Sequence, residues 1–407
     1  MKKYIFVTYP ITYAGGVQCY VAAKAKYLES QGWSVNVLFA SVESKKGINP
    51  LLDKYLKDGV MALYRPSYYP DYLIKKHLDK ICKTVGPKED FDEIIIESHN
   101  CEMSIWGELI AEKYNARHYI YLVNEHYRGK NKCYEKYIDF FLFKFQRKEI
   151  LGELQTFNRL FEGYREVKTS DFPGEVVIDE APIQDIPSPK VADLAKKEWN
   201  ICYIGRGMKP YVENILTQVG DFAGLYPEKE IQLVTVGDMD CRRDVINQVM
   251  SEHNNLSITE LGMMFPLPLM LYEKVDVVIA GSGSARHSAE IGAITIVADS
   301  ETLQSDGILG FETLNSVYAS SDSVCTSFTD ALKRVLVDKV YLKMENKFPK
   351  RKGVEWCTKQ NFELFAHSER EKIYYSYDKL TGGEKHLGLI LKNYISHLLN
   401  VISGKKK

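Results

Sequence analysis

The hydrophobic positions along this chain fall into short blocks separated by longer amphipathic stretches. Blocks rich in Val, Ile, Tyr and Phe lie at residues 4–9, 34–39, 60–63, 93–97 and 119–123, with a further one near 175–178. A second series lies at residues 200–204, 231–236, 256–259, 275–280, 294–298 and 316–318. Each block is a few residues long and flanked by polar residues or Gly, the pattern of a strand. The intervals are of helix length. The first places Val17, Val21, Ala25 and Leu28 on one face and stops before Gly32. Strands alternating with helices predict an α/β fold of parallel sheets covered on both faces.

The alternation breaks once. Residues 181–190 read Ala-Pro-Ile-Gln-Asp-Ile-Pro-Ser-Pro-Lys, and a proline density of that order predicts an extended linker. The strand series then restarts at Asn200. After about Lys347 the pattern is helical, and residues 387–402 form a helix with a broad apolar face. The pattern therefore predicts two doubly wound, Rossmann-like domains with a cleft between them. Ligands in such sheets bind beyond the carboxyl ends of the strands.

Composition narrows the class. The chain has 407 residues, enough for two cores, with 45% hydrophobic and 26% charged residues. A formal net charge of -1 gives no general attraction to nucleic acid. No pair among the eight cysteines has a CxxC or zinc spacing, which predicts reduced thiols in a cytoplasmic protein and no metal. Met1-Lys2-Lys3 precedes an apolar block broken at Tyr9-Pro10, so a first buried strand is expected rather than a secretory leader. No run reaches the roughly 18 apolar residues that span a bilayer. A soluble or peripheral protein is expected.

Candidate chemistry lies in the loops after strands. Gly15 and Gly16 follow the first block and let the backbone pass close to a ligand; a plain strand-to-helix turn is the alternative. The loop is not GxGxxG, so it lacks the dinucleotide fingerprint. Gly205-Arg206-Gly207-Met208-Lys209 opens the second half. Two cations beside two glycines suit a diphosphate, Arg as a planar fork and Lys as a point charge. The alternative is a solvated basic turn. Residues 275–290 join a β-branched run to Gly281-Ser-Gly-Ser and then a helix bearing Glu290. Gly283 and Ser284 offer donors to a phosphate at that helix start, and Glu290 offers an acceptor to ribose hydroxyls. The alternative for Glu290 is an exposed helix residue. Met264 lies in an apolar stretch suited to a base or to core packing.

His99 follows the block at 93–97, and Glu125 and His126 follow the block at 119–123. At strand ends these side chains suit sugar hydroxyls or proton transfer. Residues 128–148 interleave Arg128, Lys130, Lys132, Lys136, Lys144, Arg147 and Lys148 with aromatics. Such a segment suits an anionic membrane surface, or a helix whose aromatics enter the core.

In order and spacing, the Gly15-Gly16-Val17 loop, the Gly205-Arg206…Lys209 loop and the loop leading to Glu290-Ile-Gly292 resemble the donor site of GT-B glycosyltransferases. The resemblance is closest to the family-four, retaining enzymes of bacterial surface-polysaccharide assembly. It implies a donor phosphate near Gly16, a diphosphate neutralised by Arg206 and Lys209, and ribose on Glu290. It places His99 near the transferred sugar; Glu125 and His126, from their strand-end position, are expected on the acceptor side. It implies domains at 1–185 and 186–355, with helices of 356–407 crossing back onto the first. The partners implied are a nucleotide diphosphate-sugar, as substrate rather than cofactor, and a glycan or lipid-linked acceptor. The chain departs from the family at two points: Ser282 stands where a glutamate is expected, eight positions before Glu290, and the Arg206-to-Lys209 interval is shorter than is usual in the family. A GT-B sugar-nucleotide epimerase, and a non-catalytic family member that binds a partner, are the alternatives.

Overall fold

The computed structural model describes residues 1–8, 16–39, 52–59, 66, 70–99, 101–122, 135, 137–152, 154–168, 183–316, 325–348 and 371–382. The chain divides into two compact units, Met1–Glu180 with Gly353–Lys407, and Ala181–Lys352.

The first unit is built on β1 (Lys2–Thr8), α1 (Gly16–Ser30), β2 (Trp33–Phe39), α2 (Asp71–Val85), β3 (Glu93–His99), α3 (Cys101–Tyr114), β4 (Arg117–Tyr121), α4 (Ile138–Gln146) and β5 (Ile150–Leu151). Its sheet runs β2-β1-β3-β4-β5, and the pairs are parallel. β1 is buried from Lys3 to Thr8, as a strand covered on both faces should be. Successive side chains serve opposite faces. Ile5 and Val7 enter one core with Ile94, Ile96 and Trp106. Tyr4 and Phe6 enter the other with Ile95, Tyr20 and Val21.

The second unit contains β6 (Ile183–Gln184), β7 (Trp199–Ile204), α5 (Val212–Leu225), β8 (Ile231–Val236), α6 (Arg243–Glu252), β9 (Leu256–Gly262), β10 (Leu267–Pro268), β11 (Val277–Ala280), α7 (Ser282–Glu290), β12 (Thr295–Ala298) and β13 (Ser305–Ile308). The main sheet runs β13-β12-β11-β7-β8-β9, and β6 pairs with β10 separately. Ile201, Tyr203, Leu233 and Ile279 fill one face, while Cys202, Ile204, Val234 and Val278 fill the other.

The structure corrects several expectations from the sequence. The stretch expected as an extended linker holds the short strand β6 and a helical turn at Pro189–Ala192. Proline at a helix start loses no hydrogen bond, so proline density did not forbid the turn. β13 is antiparallel to β12 and reads Ser-Asp-Gly-Ile, with no apolar run to reveal it. Residues 371–376, expected as helix, are not helical. Tyr374 and Tyr375 pack on the first core, and Tyr374 OH donates to the Ala116 carbonyl at 3.0 Å. The expected strands at 60–63 and 175–178, all but Ser316 of 316–318, and the helix at 387–402 lie outside the described residues. Of the basic aromatic segment, α4 buries Phe140, Phe141, Phe145 and Lys144, the core alternative for those residues. No helix among the described residues is long and apolar enough to cross a membrane.

Unit 1 also buries two ionic clusters, one against each face of its sheet. On the β1–α1 side Lys24 Nζ lies 2.6 Å from Glu97 Oε2, both with no exposed side-chain surface. On the other side Glu108 Oε2 lies 2.6 Å from Lys144 Nζ and 2.6 Å from His118 Nδ1. His118 Nε2 meets Ser98 Oγ at 2.7 Å, and Glu108 Oε1 accepts the Tyr375 amide at 2.8 Å. Burial opposes charge on each carboxylate, but the facing Lys and His groups outweigh it and bring both down to about 2. Burial also holds Lys24 below its usual range despite the attraction of Glu97. The two partners thus pull in different directions. We read the pair as ionised, because Glu97 keeps several donors that a neutral carboxyl would waste. Burial, and then Lys144, lower the His118 pKa.

These clusters predict how unit 1 responds to acid. His118 is depressed below 6.5, so the unfolded chain binds its proton first and stability starts to fall below about that pH. The depressed Glu97 and Glu108 contribute stability that is present above about 4.5 and lost as pH falls towards about 2. Amide hydrogen exchange in β3 and β4, corrected for intrinsic pH dependence, should lose protection in those two windows. Protection that stays flat from pH 7 to pH 3 would contradict the assignment.

Candidate functional site

The second unit is wound outward from its first strand. β7 leads to β8 and β9 on one side, and the chain then returns to β11 and β12 on the other. The crossovers diverge at the β7–β11 junction, which leaves the strand ends there uncovered by connections. Ile204 pairs with Ala280 on one side and with Val236 on the other. The three next residues are Gly205, Gly281 and Gly237, so three adjacent strands all open into glycine loops.

Close approach explains two of these glycines. Gly237 has φ +137°, and a Cβ there would overlap the Gly205 carbonyl oxygen. A Cβ on Gly281 would lie 2.8 Å from Tyr211 OH and 2.9 Å from the Ala298 carbonyl oxygen. The loops are also tied by hydrogen bonds. Gly205 N–H donates to the Val236 carbonyl at 2.9 Å, and Tyr203 OH donates to the Arg206 carbonyl at 3.1 Å. Arg242 Nε–H donates to the Gly207 carbonyl at 3.0 Å, with its guanidinium 2.7 Å from Glu213. On this braced loop the Arg206 side chain is exposed and that of Lys209 is half-buried.

The helix α7 starts at the adjacent strand end. Ser282 adopts φ +54°, a left-handed conformation uncommon for a residue with a Cβ. Its N–H donates to the Ser316 carbonyl at 2.6 Å, which engages that amide within the chain. Gly283 and Ser284 then supply first-turn N–H groups, which lack intrahelical acceptors and sit at the positive end of the helix dipole. Glu290 lies about two turns further on. Its carboxylate is 3.2 Å from His287 Nδ1, and the two side chains are only 10% and 5% exposed. Glu290 is thus mostly buried and held at a fixed place, rather than waving on an exposed face. Met264 is half-buried against the core that holds Leu261, Leu267 and Leu271.

The structure therefore gathers Gly205, Arg206, Lys209, Gly283 and Ser284 around one set of neighbouring strand ends, and holds Glu290 at the far end of the helix that starts there. Sequence reasoning missed Tyr203, Tyr211 and His287, which brace that set. Only His287 carried a signal, three positions before Glu290 on one helix.

The first unit places its expected residues differently. Its switch point lies between β1 and β3, where Thr8 and His99 end their strands. Gly16 opens α1. Gly15, Glu125 and His126 lie outside the described residues. His99, expected to face a ligand, is fully buried. Both ring nitrogens bond within the chain, Nδ1 to Thr8 Oγ1 at 2.9 Å and Nε2 to Glu97 Oε1 at 3.0 Å. The neighbouring carboxylate draws the imidazole inward instead of leaving it at the strand end. Among the described residues no group of three or more His, Cys, Asp or Glu is placed to hold a metal ion.

No family model and no curated protein matches the sequence. Solved structures do match the fold. HepE of Anabaena, in complex with UDP-glucose, aligns with a TM-score of 0.56 at 12% identity, over 97% of this chain and 100% of that one. A glycosyltransferase from Rickettsia africae aligns with a TM-score of 0.52 at 13% identity, over 98% of this chain and 99% of that one. UDP-GlcNAc 2-epimerase from Neisseria meningitidis, bound to UDP-GlcNAc, aligns with a TM-score of 0.52 at 13% identity, over 89% and 99%. The fold is therefore the two-unit α/β type of the GT-B class.

The glycine interlock makes a paired prediction. Gly237→Ala meets both an unfavourable φ and a backbone oxygen, so it should destabilise unit 2 by more than about 2 kcal/mol. Gly262→Ala, at φ +72° with open space around it, should cost only about 1 kcal/mol. Denaturant unfolding of the two variants measures the difference, and equal costs would refute the interlock.

Proposed function

We propose that this chain is an enzyme of nucleotide diphosphate-sugars, and that it moves the sugar to a glycan or lipid-linked acceptor with retention at the anomeric carbon. The observation that supports this most is the convergence at the β7–β11 switch point. A cationic loop and a helix start lie on adjoining strand ends, and the same helix carries a mostly buried carboxylate about two turns on. Anionic phosphates match the first two, and ribose hydroxyls match the third.

In this reading Arg206 and Lys209 neutralise the diphosphate as its bond to the anomeric carbon breaks. The N–H groups of Gly283 and Ser284 share that charge, and Glu290 accepts from the ribose. Preorganised donors aimed at developing charge often lower a reaction barrier more than any other single effect. Such a site needs no metal and no cofactor, the sugar nucleotide being a substrate. Gly205 lets the loop approach the phosphates, and Met264 lies against the base. From the sequence, Gly15 and Gly16 are proposed for the donor and Glu125 and His126 for the acceptor. His99, proposed from the sequence to lie near the sugar, does not touch a ligand itself, because its ring is enclosed. Synthesis of a cell-surface polysaccharide on the inner face of the membrane is the setting we propose.

Epimerisation of the sugar nucleotide is a second reading. It is favoured by the likeness to an enzyme named for that reaction. The two differ in what the sugar nucleotide does alone. An epimerase converts it without an acceptor, whereas a transferase needs one. Ser282 in place of an acid keeps a non-catalytic binding role as a third reading; such a protein leaves the sugar nucleotide unchanged with and without acceptor.

Calorimetric titration with UDP tests the shared core of these readings. Wild type should bind, and Arg206→Ala should bind at least about tenfold more weakly, as expected for loss of a charged hydrogen bond. Equal affinity in the variant would sink the diphosphate assignment.

A further inference from the structure

The two cations of the candidate site in unit 2 stand three residues apart, and one turn spans them. Lys209 N–H donates to the Arg206 carbonyl at 3.1 Å, which closes residues 206–209 into a β-turn. Such a turn holds its first and fourth Cα atoms within about 7 Å. Val212 N–H donates to the Lys209 carbonyl at 3.2 Å, so a second turn leads from the first into α5. Within the first turn Met208 is exposed, whereas Gly207 is buried. Gly207 N–H donates to the Asp238 carbonyl at 2.8 Å, and a Cβ on Gly207 would lie 2.7 Å from that oxygen.

Two side chains brace this turn through its carbonyls. The Arg206 carbonyl has two lone pairs, and both accept: one from Lys209 N–H, the other from Tyr203 OH at 3.1 Å. Tyr203 is buried in the core of unit 2. Burial, and then Tyr211, push its hydroxyl well above the usual range, so it stays protonated and donates. Gly205 leaves it room, because a Cβ there would overlap Tyr203 OH. The Gly207 carbonyl accepts from Arg242 Nε–H at 3.0 Å, and Glu213 holds that guanidinium at 2.7 Å. The turn is thus anchored to strand β7 by one brace and to helix α5 by the other, while the Arg206 side chain stays exposed. Without these anchors the peptide units of the turn are free to rotate, and the two cations lose their common direction.

We propose that Tyr203 and Arg242 are positioning residues that act through Arg206, setting the turn so that Arg206 and Lys209 present their charges together to one diphosphate. The turn part stands on the hydrogen bonds alone, and the diphosphate part rests on the nucleotide-sugar reading above. Two adjoining cations match the two phosphates of a diphosphate, and a monophosphate engages fewer of their donors. The braced turn is therefore a selector for diphosphate over monophosphate. Holding donors in place before the ligand arrives removes an ordering cost from binding. Tyr203 and Arg242 raise affinity in this way without touching the ligand.

Calorimetric affinities for UDP and UMP across a double-mutant cycle test the diphosphate part. Wild type should prefer UDP, and Tyr203→Phe should lower the UDP-to-UMP affinity ratio about fivefold, the worth of one hydrogen bond. In an Arg206→Ala background the same change should lower the ratio less than about twofold, because the residue it acts through is gone. A purely structural role would weaken both nucleotides alike and leave the ratio unmoved. An unchanged ratio in Tyr203→Phe, or the same loss in both backgrounds, would overturn this part. The turn part is read without nucleotide. Exchange of the Lys209 amide proton should rise about fivefold in Tyr203→Phe, and unchanged exchange would overturn it. If Tyr203→Phe does not fold, Arg242→Met enters the same cycle and the same exchange measurement, with the same outcomes expected. Any direct attraction between Arg242 and phosphate would persist in the Arg206→Ala background, so the cycle separates it from positioning. A wild type that binds neither nucleotide would refute the nucleotide reading, and with it the diphosphate part, while the Lys209 exchange still decides the turn.

Discussion

A parallel sheet wound outward from an inner strand must leave one place where its connections part. Much of what is distinctive in this chain follows from that constraint. In unit 2 the place is the β7–β11 junction, and in unit 1 it is the β1–β3 junction. Strand ends at such a place are open to ligands, and helices start beside them with unpaired N–H groups. The two units use the same geometry with different chemistry. Unit 2 meets it with glycine loops, two cations and a helix start. Unit 1 closes its own with a threonine, a histidine and a carboxylate bonded in series.

The contrast has an energetic side. Unit 2 holds its loops by backbone interlock, in which Gly237 and Gly281 leave room that any side chain would fill. That arrangement keeps Arg206 exposed on a loop whose carbonyls are tied down from beneath. Unit 1 instead takes ions out of water. Removing one partner of a buried pair leaves an uncompensated charge, which costs several kcal/mol. Glu97 and Glu108 therefore make the unit sensitive to acid, and they also specify it. Glu108 joins α3, β4 and α4 to the returning segment at Tyr375. Glu97 joins β1, α1 and β3.

Much of the fold was legible in the sequence because buried parallel strands are written as β-branched runs. The runs at 231–236 and 200–204 match β8 and β7 to within a residue. The short strands β5, β6 and β10 were not legible, since two residues carry no period. β13 was missed because Ser305, Asp306 and Gly307 have no apolar pattern and pair through tertiary context alone. In the site, glycines and cations stood out because few other positions need them. Burial of His99 did not stand out. A histidine at a strand end looks the same whether it faces out or is drawn inward by a glutamate two residues before it. Tyr203 and Tyr211 were equally silent, because a bracing hydroxyl and a core aromatic share one letter.

The central claim is that the β7–β11 switch point is the nucleotide site. Amide hydrogen exchange of the whole chain with and without saturating UDP tests that directly. Protection is predicted in residues 205–209, 237–239 and 281–290, with β8 and α6 unchanged. Exchange that UDP leaves unaltered in all three segments, or alters only in unit 1, would contradict it.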